Sequence, residues 1–210
     1  MDEPPSVRGT YDRIAGHFAA TREYAWPEVE AFLAERTGRV GLDVGCANGR
    51  HAEALDERTD RVVGVDVSRG LLAEARDRAD SRGFSIDLVQ GDASRPPVRD
   101  RVVDLAVYVA TIHHLRGREA RVRSLDELAR ALAPGGRGLV SAWSTAHEKF
   151  DSESGFDTTI DWTLPGGETV PRFYHIYDPA EFRAEIADSA LSLDSFEISS
   201  GNCYAVVAPE

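Results

Sequence analysis

Lysine is almost absent from this 210-residue chain: Lys149 is the sole lysine among 24 basic residues, against 36 aspartates and glutamates, for a formal charge of −12. An acidic balance of that size argues against tight, non-specific nucleic-acid binding, because neutralising phosphates needs a surplus of cations. It leaves room for a nucleic acid held at a local arginine patch. Arginine in place of lysine with an acidic excess fits a salt-loving organism such as a halophilic archaeon, whose protein surfaces stay hydrated while salt screens their self-repulsion. An ordinary acidic enzyme from a GC-rich genome gives the same counts. Cysteine is scarce too: Cys46 and Cys203 are too few for a disulfide framework and read as reduced thiols. No Cys or His cluster has ligand spacing, so no metal is expected. No apolar run approaches the roughly 18 residues of a membrane span, and no basic-then-apolar start marks a signal peptide. The expectation is a cytoplasmic protein with no membrane contact. Repeats and low-complexity tracts are missing as well.

What is present is alternation. Short runs rich in Val, Leu or Ile at Arg39–Val44, Arg61–Val67, Ser85–Gln90, Val102–Val109 and Gly136–Trp143 read as strands. Helical patterns at Gly49–Leu55, Ser68–Ser81 and Arg118–Leu132 separate them, the last carrying Leu125, Leu128, Ala129 and Leu132 on one face. Ser68 offers a cap to the second of these helices, and the turn at Pro134, Gly135 and Gly136 is expected to stop the third. Strand and helix in strict succession predict a Rossmann-like, doubly wound α/β fold with helices on both faces of a mostly parallel seven-stranded sheet. Two further helices, Val7–Ala20 and Pro27–Thr37, precede the first strand. The runs Leu191–Ser199 and Asn202–Ala208 predict an antiparallel C-terminal hairpin at a sheet edge, after a helix near Asp178–Ser189. One domain covers 1–210: a helical cap (1–38), a cofactor-binding core (39–143), a polar lid or substrate loop (144–170), and a C-terminal helix and hairpin (171–210).

The stretch LDVGCANGR puts Asp43 at the end of the first strand and then Gly45, Ala47 and Gly49 at alternate positions. Small residues let the chain turn sharply and bring a ligand to main-chain N–H groups at the start of a helix. An acid beneath that ligand repels a nucleotide diphosphate and favours a cation. S-adenosylmethionine carries an ammonium and a sulfonium and no phosphate. Asp66 ends the second strand about twenty residues on, where a carboxylate can accept both ribose hydroxyls, and Asp92 follows the third, within reach of an adenine amino group. Three acids at the ends of three successive strands mark the place where parallel sheets hold ligands. A dinucleotide-dependent dehydrogenase is disfavoured, since Thr145 occupies the position where a Tyr-x-x-x-Lys pair would need tyrosine.

With LDVGCANGR, GVDVS, GDA, VVDLAVYVATIHHL and LAPGGRGLVSAW in place, the chain resembles the class I S-adenosylmethionine-dependent methyltransferases over nearly its whole length. The resemblance implies that Asp43, Gly45, Ala47 and Gly49 line the methionine end of the cofactor, Asp66 the ribose and Asp92 with Ala93 the adenine, with Cys46, Val67 and Val109 also binding the cofactor. Ala47 stands where that family usually has glycine. The segments YDRIAGHFAATREYAWPEVEAFL and RFYHIYDPAEFRAEI are similar to the methyltransferases that esterify carboxymethyluridine at the tRNA wobble position, the Trm9 and AlkB-homologue type. This implies a tRNA substrate and a small zinc-binding methyltransferase activator protein joining the sheet at Ser85–Gln90, where Ile86 and Leu88 alternate with polar residues on an edge strand.

Methyl transfer is an in-line displacement, which needs collinear reactants and exclusion of water. A carboxylate nucleophile is already ionised at neutral pH and requires donors rather than a strong base. Arg22, His113, His114, Arg172, Tyr174 and His175 supply such donors, with Tyr177 nearby, and arginine can clamp a carboxylate bidentately. Trp26 and Trp143 can stack a uracil or serve as packing, Tyr174 and Arg172 can form a strand face, and one of the adjacent histidines can be structural. Phosphate contacts are expected from arginines such as Arg8, Arg13, Arg22 and Arg172, or from the partner protein. A methyltransferase of small metabolites, of quinone or lipid-precursor type, and a non-catalytic binding module stand as alternatives.

Overall fold

In the computed structural model, which describes residues 6–210, seven strands form one sheet in the order β3-β2-β1-β4-β5-β9-β8. Strands β1 (Gly38–Val44), β2 (Thr59–Asp66), β3 (Asp87–Gln90), β4 (Val103–Val109) and β5 (Leu132–Trp143) run parallel. β9 (Asn202–Pro209) is antiparallel to β5, and β8 (Leu191–Ser199) closes the edge as its hairpin partner. The hairpin turns through Ser200 and Gly201, both at positive φ (49° and 74°). That backbone matches the twist of the paired strands. The doubly wound sheet and its C-terminal hairpin are as the sequence predicts. No described helix is long and apolar enough to cross a membrane.

Helices start where side chains can satisfy their free N–H groups. Ser6 caps α1 (Val7–Ala20), Ser68 caps α4 (Arg69–Arg82) through Leu71 N, and Asp178 caps α6 (Pro179–Ala187) through Ala180 N and Glu181 N. The remaining helices are α2 (Pro27–Leu33), α3 (Arg50–Asp56) and α5 (Arg118–Ala131). One face of the sheet packs on α5 and α6 through Leu125, Leu128, Phe182 and Ile186. The other packs on α2 and α3 through Val29, Phe32 and Leu55. Each such side chain contributes about 2 kcal/mol on full burial. A third, smaller cluster of Tyr11, Ile14, Leu71 and Val170 ties α1 to α4 and to a separate hairpin.

Several boundaries differ from the sequence reading, among them the second helix, which ends at Leu33 rather than Thr37. The third core helix stops at Ala131, not Leu132, because Leu132 is already extended and pairs with Val103. The Pro134–Gly136 turn is an irregularity inside β5, after which the register resumes at Leu105 opposite Arg137. The edge strand is shorter than Ser85–Gln90, since Ile86 turns inward against Gly64 and leaves four paired residues, Asp87–Gln90.

The polar stretch after β5 is not structureless. β6 (Phe156–Thr163) pairs antiparallel with β7 (Thr169–Ile176) as a two-stranded sheet of its own, Ile160 opposite Arg172 and Trp162 opposite Val170. Phe156, Thr158, Ile160 and Trp162 are half-buried and alternate with exposed Asp157, Thr159, Asp161 and Thr163. That face lies toward α1. The hairpin's base is joined to the main sheet where Ser144 bridges Tyr177.

Candidate active site

β1 lies between β2 and β4, so the chain leaves it and its neighbour β4 toward opposite faces of the sheet and a crevice opens at their C-terminal ends. A cavity of about 160 Å³ sits there, lined by the 45–47 loop, the ends of β2, β3 and β4, and Val7, Tyr11 and Phe18 of α1. Of the residues expected around a cofactor, Gly45, Cys46, Ala47, Asp66, Val67, Asp92, Ala93 and Val109 line it. Gly45 has φ +75° and faces the Thr111 side chain so closely that a Cβ would collide with it. Ala47 also adopts a left-handed backbone, φ +47°, which costs an L-residue about 1 kcal/mol. Its N–H donates to Asp66 Oδ2 at 2.9 Å, and this contact holds the loop in that shape.

The acids divide their roles. Asp66 Oδ1 accepts from Ser68 N at 2.9 Å, so each oxygen is held by a backbone N–H while the side chain lines the cavity. Burial raises its pKa to about 6 against the pull of those N–H groups. Asp43 is not part of the cavity wall. It lies fully buried beneath the loop with Oδ2 unpartnered, and burial and then the Asp66 charge push its pKa to about 7. Asp92 is exposed, lines the cavity and caps the following turn through Ser94 N at 2.7 Å. Gly49 is at φ +77° as the N-cap of α3 and contributes backbone only. Arg50 and His51, which follow it, line the cavity although the sequence reading passed over them.

Above the crevice the cap is cationic and aromatic. His113 and His114 stand on a 3₁₀ turn after β4, buried and packed edge-to-face at 4.5 Å. His114 Nδ1 lies 2.8 Å from the Phe173 carbonyl, which only accepts, so Nδ1 carries the proton and Nε2 accepts from the Tyr11 hydroxyl at 2.8 Å. Burial lowers its pKa to about 4. His113 Nδ1 accepts from Trp143 N at 3.0 Å, and burial and the neighbouring His114 push it well below the ordinary imidazole range. Both histidines are neutral. Tyr174 packs on both rings and on Trp143, at 4.8, 4.5 and 5.6 Å.

Arg172 is 8% exposed, and its buried Nε–H meets no acceptor. Among the described residues neither Arg172 nor Arg22 forms an ion pair. Arg172 instead stacks on Trp162 (4.9 Å) and Tyr174 (5.1 Å), and Arg22 on Phe18 (4.9 Å) and Trp162 (5.6 Å). Burial, and then the Arg172 charge, lowers the Arg22 pKa.

The structure thus brings five of the six expected donors together and sets one apart. His175 is held between Asp157 (Nδ1, 2.8 Å) and Glu181 (Nε2, 2.9 Å), so both nitrogens donate to carboxylates and none is left for a substrate. Burial opposes its charge, but the two carboxylates outweigh that and raise its pKa. Glu181 continues into a buried cluster of Arg121, Glu185 and Tyr177 beneath the hairpin. Arg8 and Arg13, expected to meet phosphates, pair with Asp12 and Glu168. Exposed Arg116 and Lys149 instead stack on Phe173 (3.9 Å) and Trp143 (5.4 Å). Trp26 packs on His51 and Tyr204 rather than over the cavity. The sequence reading missed Tyr11, Thr111 and Trp162. The two-residue alternation from Phe156 to Trp162 was the signal available for the last.

A family model described as a methyltransferase domain matches residues 42–140. The chain is 35% identical over 147 residues to the tRNA (carboxymethyluridine(34)-5-O)-methyltransferase ALKBH8 of Macaca fascicularis, covering 70% of this chain and 21% of that protein. It is 32% identical over 186 residues to the tRNA (carboxymethyluridine(34)-5-O)-methyltransferase of Schizosaccharomyces pombe, covering 83% of this chain and 77% of that protein. It therefore spans about a fifth of the macaque relative and most of the fission-yeast one. In fold it is similar to a Haloferax volcanii methyltransferase structure determined in complex with the Trm112 methyltransferase activator. The TM-score is 0.71 at 18% identity, with 98% of each chain covered. By sequence over most of its length, the chain belongs to the family of the tRNA (carboxymethyluridine(34)-5-O)-methyltransferases, built on the class I methyltransferase fold.

Proposed function

We propose that the protein transfers a methyl group from S-adenosylmethionine to the carboxylate of a carboxymethyl-modified wobble uridine in tRNA. The observation that carries this reading is Arg172, a buried guanidinium with an unsatisfied N–H and, among the described residues, no ion-pair partner. A buried cation without a counter-charge is costly unless a ligand supplies one, and a carboxylate is the anion this chemistry requires. The two neutral histidines agree with it. Each accepts a hydrogen bond from a protein donor at one ring nitrogen, so neither is free there as a base, and an ionised carboxylate needs none.

The crevice suits the donor. Asp66 lines the cavity with a carboxylate that can accept from ribose hydroxyls, and Asp92 and Ala93 flank the adenine end of the cavity. Asp43, with its orphaned oxygen, sets a negative field under the Gly45–Ala47 backbone. When bound, S-adenosylmethionine supplies an electrophilic methyl on a sulfonium. The protein's share is positional: Arg172 orients the carboxylate, Tyr174 and the histidines form a dry wall, and α1 closes over the crevice with Tyr11 and Phe18.

A small zinc-binding activator at the β3 edge belongs to the same reading. That edge is four residues long, carries half-buried Leu88 and Val89, and among the described residues has no partner strand on its outer side. An unpaired edge invites strand addition, and the Haloferax protein of the same fold is found with an activator. The acidic, lysine-poor surface goes with work at molar salt. The test is transfer of radiolabelled methyl to bulk tRNA in molar KCl, with and without activator, followed by nucleoside mass spectrometry. The expected product is the methyl ester of carboxymethyluridine. Label confined to small organic molecules overturns the substrate, and full activity of a soluble, monomeric chain alone overturns the activator.

A further inference from the structure

Trp162 lies on β6, outside the sequence motifs quoted above, and its indole is the point where Arg22 and Arg172 meet. The guanidinium carbons of Arg172 and Arg22 lie 4.9 and 5.6 Å from its ring centroid. Its Nε1–H donates to His17 Nδ1 on α1 at 3.0 Å, which fixes the ring plane. Phe18 packs against it at 5.4 Å. Glu168, beyond the hairpin turn, pairs with Arg13 and ties the same hairpin to α1 a second time. Two guanidinium groups gathered on one ring do not share a small volume without a reason, and the Arg172 charge adds to burial in lowering the Arg22 pKa. Among the described residues Trp162 is the ring that both guanidinium groups contact, and the electron-rich face of an indole attracts cations.

We infer that Trp162 is a positioning residue, whose indole holds Arg22 and Arg172 together as a receptor selective for an anionic group on the substrate. This rests on the carboxylate reading above and adds to it the element that assembles the receptor. Among the described residues no carboxylate pairs with either arginine, which leaves both available to an incoming anion. The neutral ester, once formed, loses that attraction and leaves.

The test compares binding of two nucleosides, anionic 5-carboxymethyluridine and neutral 5-carbamoylmethyluridine, to protein saturated with S-adenosylhomocysteine, measured by calorimetry. Wild type is expected to prefer the anion at least tenfold. Trp162→Phe keeps a ring face without the N–H and should hold the preference within about threefold. Trp162→Leu fills similar space without a π face and should lose it, with S-adenosylhomocysteine affinity unchanged within twofold. Trp162→Ala is the larger truncation, and Trp162→Leu serves if the alanine variant does not fold. With tRNA, the leucine variant should raise KM more than it lowers kcat. No anion preference in wild type overturns the carboxylate reading itself. A wild-type preference that Trp162→Leu retains, or a loss of cofactor binding in parallel, overturns the role of Trp162 alone.

Discussion

The crevice and the cap over it are built from opposite materials. Below, the crevice is backbone and acid: a loop with Gly45, Ala47 and Gly49 at positive φ, and Asp43 and Asp66 buried beside it. Above, the cap is side chain and cation: Arg22, Arg172, two neutral histidines and the rings of Tyr11, Trp162 and Tyr174. On the proposed reading a cationic donor is drawn to the lower layer and an anionic acceptor to the upper, so charge helps to order the two reactants across the cavity. The layers also differ in how they are held. The crevice is fixed by N–H groups two and nineteen residues from Asp66, whereas the cap depends on α1 and the β6–β7 hairpin meeting across more than a hundred residues.

If the layers are separable, a lesion in one should spare the other. The largest effect is expected from Arg172→Met, which keeps length and removes the anion partner. kcat/KM for tRNA should fall about a thousandfold, or roughly 4 kcal/mol, with S-adenosylhomocysteine affinity within about twofold. A parallel collapse of cofactor affinity would make cap and crevice one unit. Next, Asp66→Ala removes the acceptor of two N–H bonds and of the ribose, and calorimetry should show cofactor binding weakened about a hundredfold, near 3 kcal/mol. An unchanged affinity would remove Asp66 from the site.

A smaller effect separates the layers by pH. The folded-state pKa of Asp43 is about 7 and that of Asp66 about 6, both above the ordinary 3.8. The native state therefore binds more protons than the unfolded chain between about pH 4 and 7, and stability from these groups is present at low pH and lost as pH rises through those values. Urea unfolding of cofactor-free protein should show wild type losing roughly 2 kcal/mol relative to Asp43→Asn between pH 5 and 8. A constant difference between the two proteins would mean that Asp43 is ionised throughout. Donor affinity should move the other way and rise with pH as the acids ionise. The smallest effect is expected from Ala47→Gly. Relief of the left-handed backbone, about 1 kcal/mol, exceeds the added freedom of the unfolded chain only slightly, for a gain of roughly 0.5 kcal/mol in the same unfolding assay. Destabilisation instead would show that the alanine methyl packs in the loop.

Legibility followed the same division. Asp43, Gly45, Ala47, Gly49, Asp66 and Asp92 were readable because each sits at a strand end or in the first turn after one, where position in the chain fixes position in space. His113 and His114 were readable as a pair after β4. Their protonation was not, since it depends on Phe173, Tyr11 and Trp143 arriving from other elements. His175 illustrates the limit: its sequence neighbours Arg172 and Tyr174 turn toward α1, while its own ring is claimed by Asp157 across the hairpin and Glu181 on α6. Trp162 was hidden in a stretch whose polar residues mask a clean two-residue alternation.

By itself the sequence determined the alternation of strand and helix, the turn-forming loop after β1 and the row of acids, because those follow from local sterics and periodicity. Only the tertiary structure decided which cations stand unpaired, which histidines are neutral and which indole gathers the arginines. Burial and the absence of a counter-charge are properties of a packed neighbourhood, and no single segment of the chain contains one.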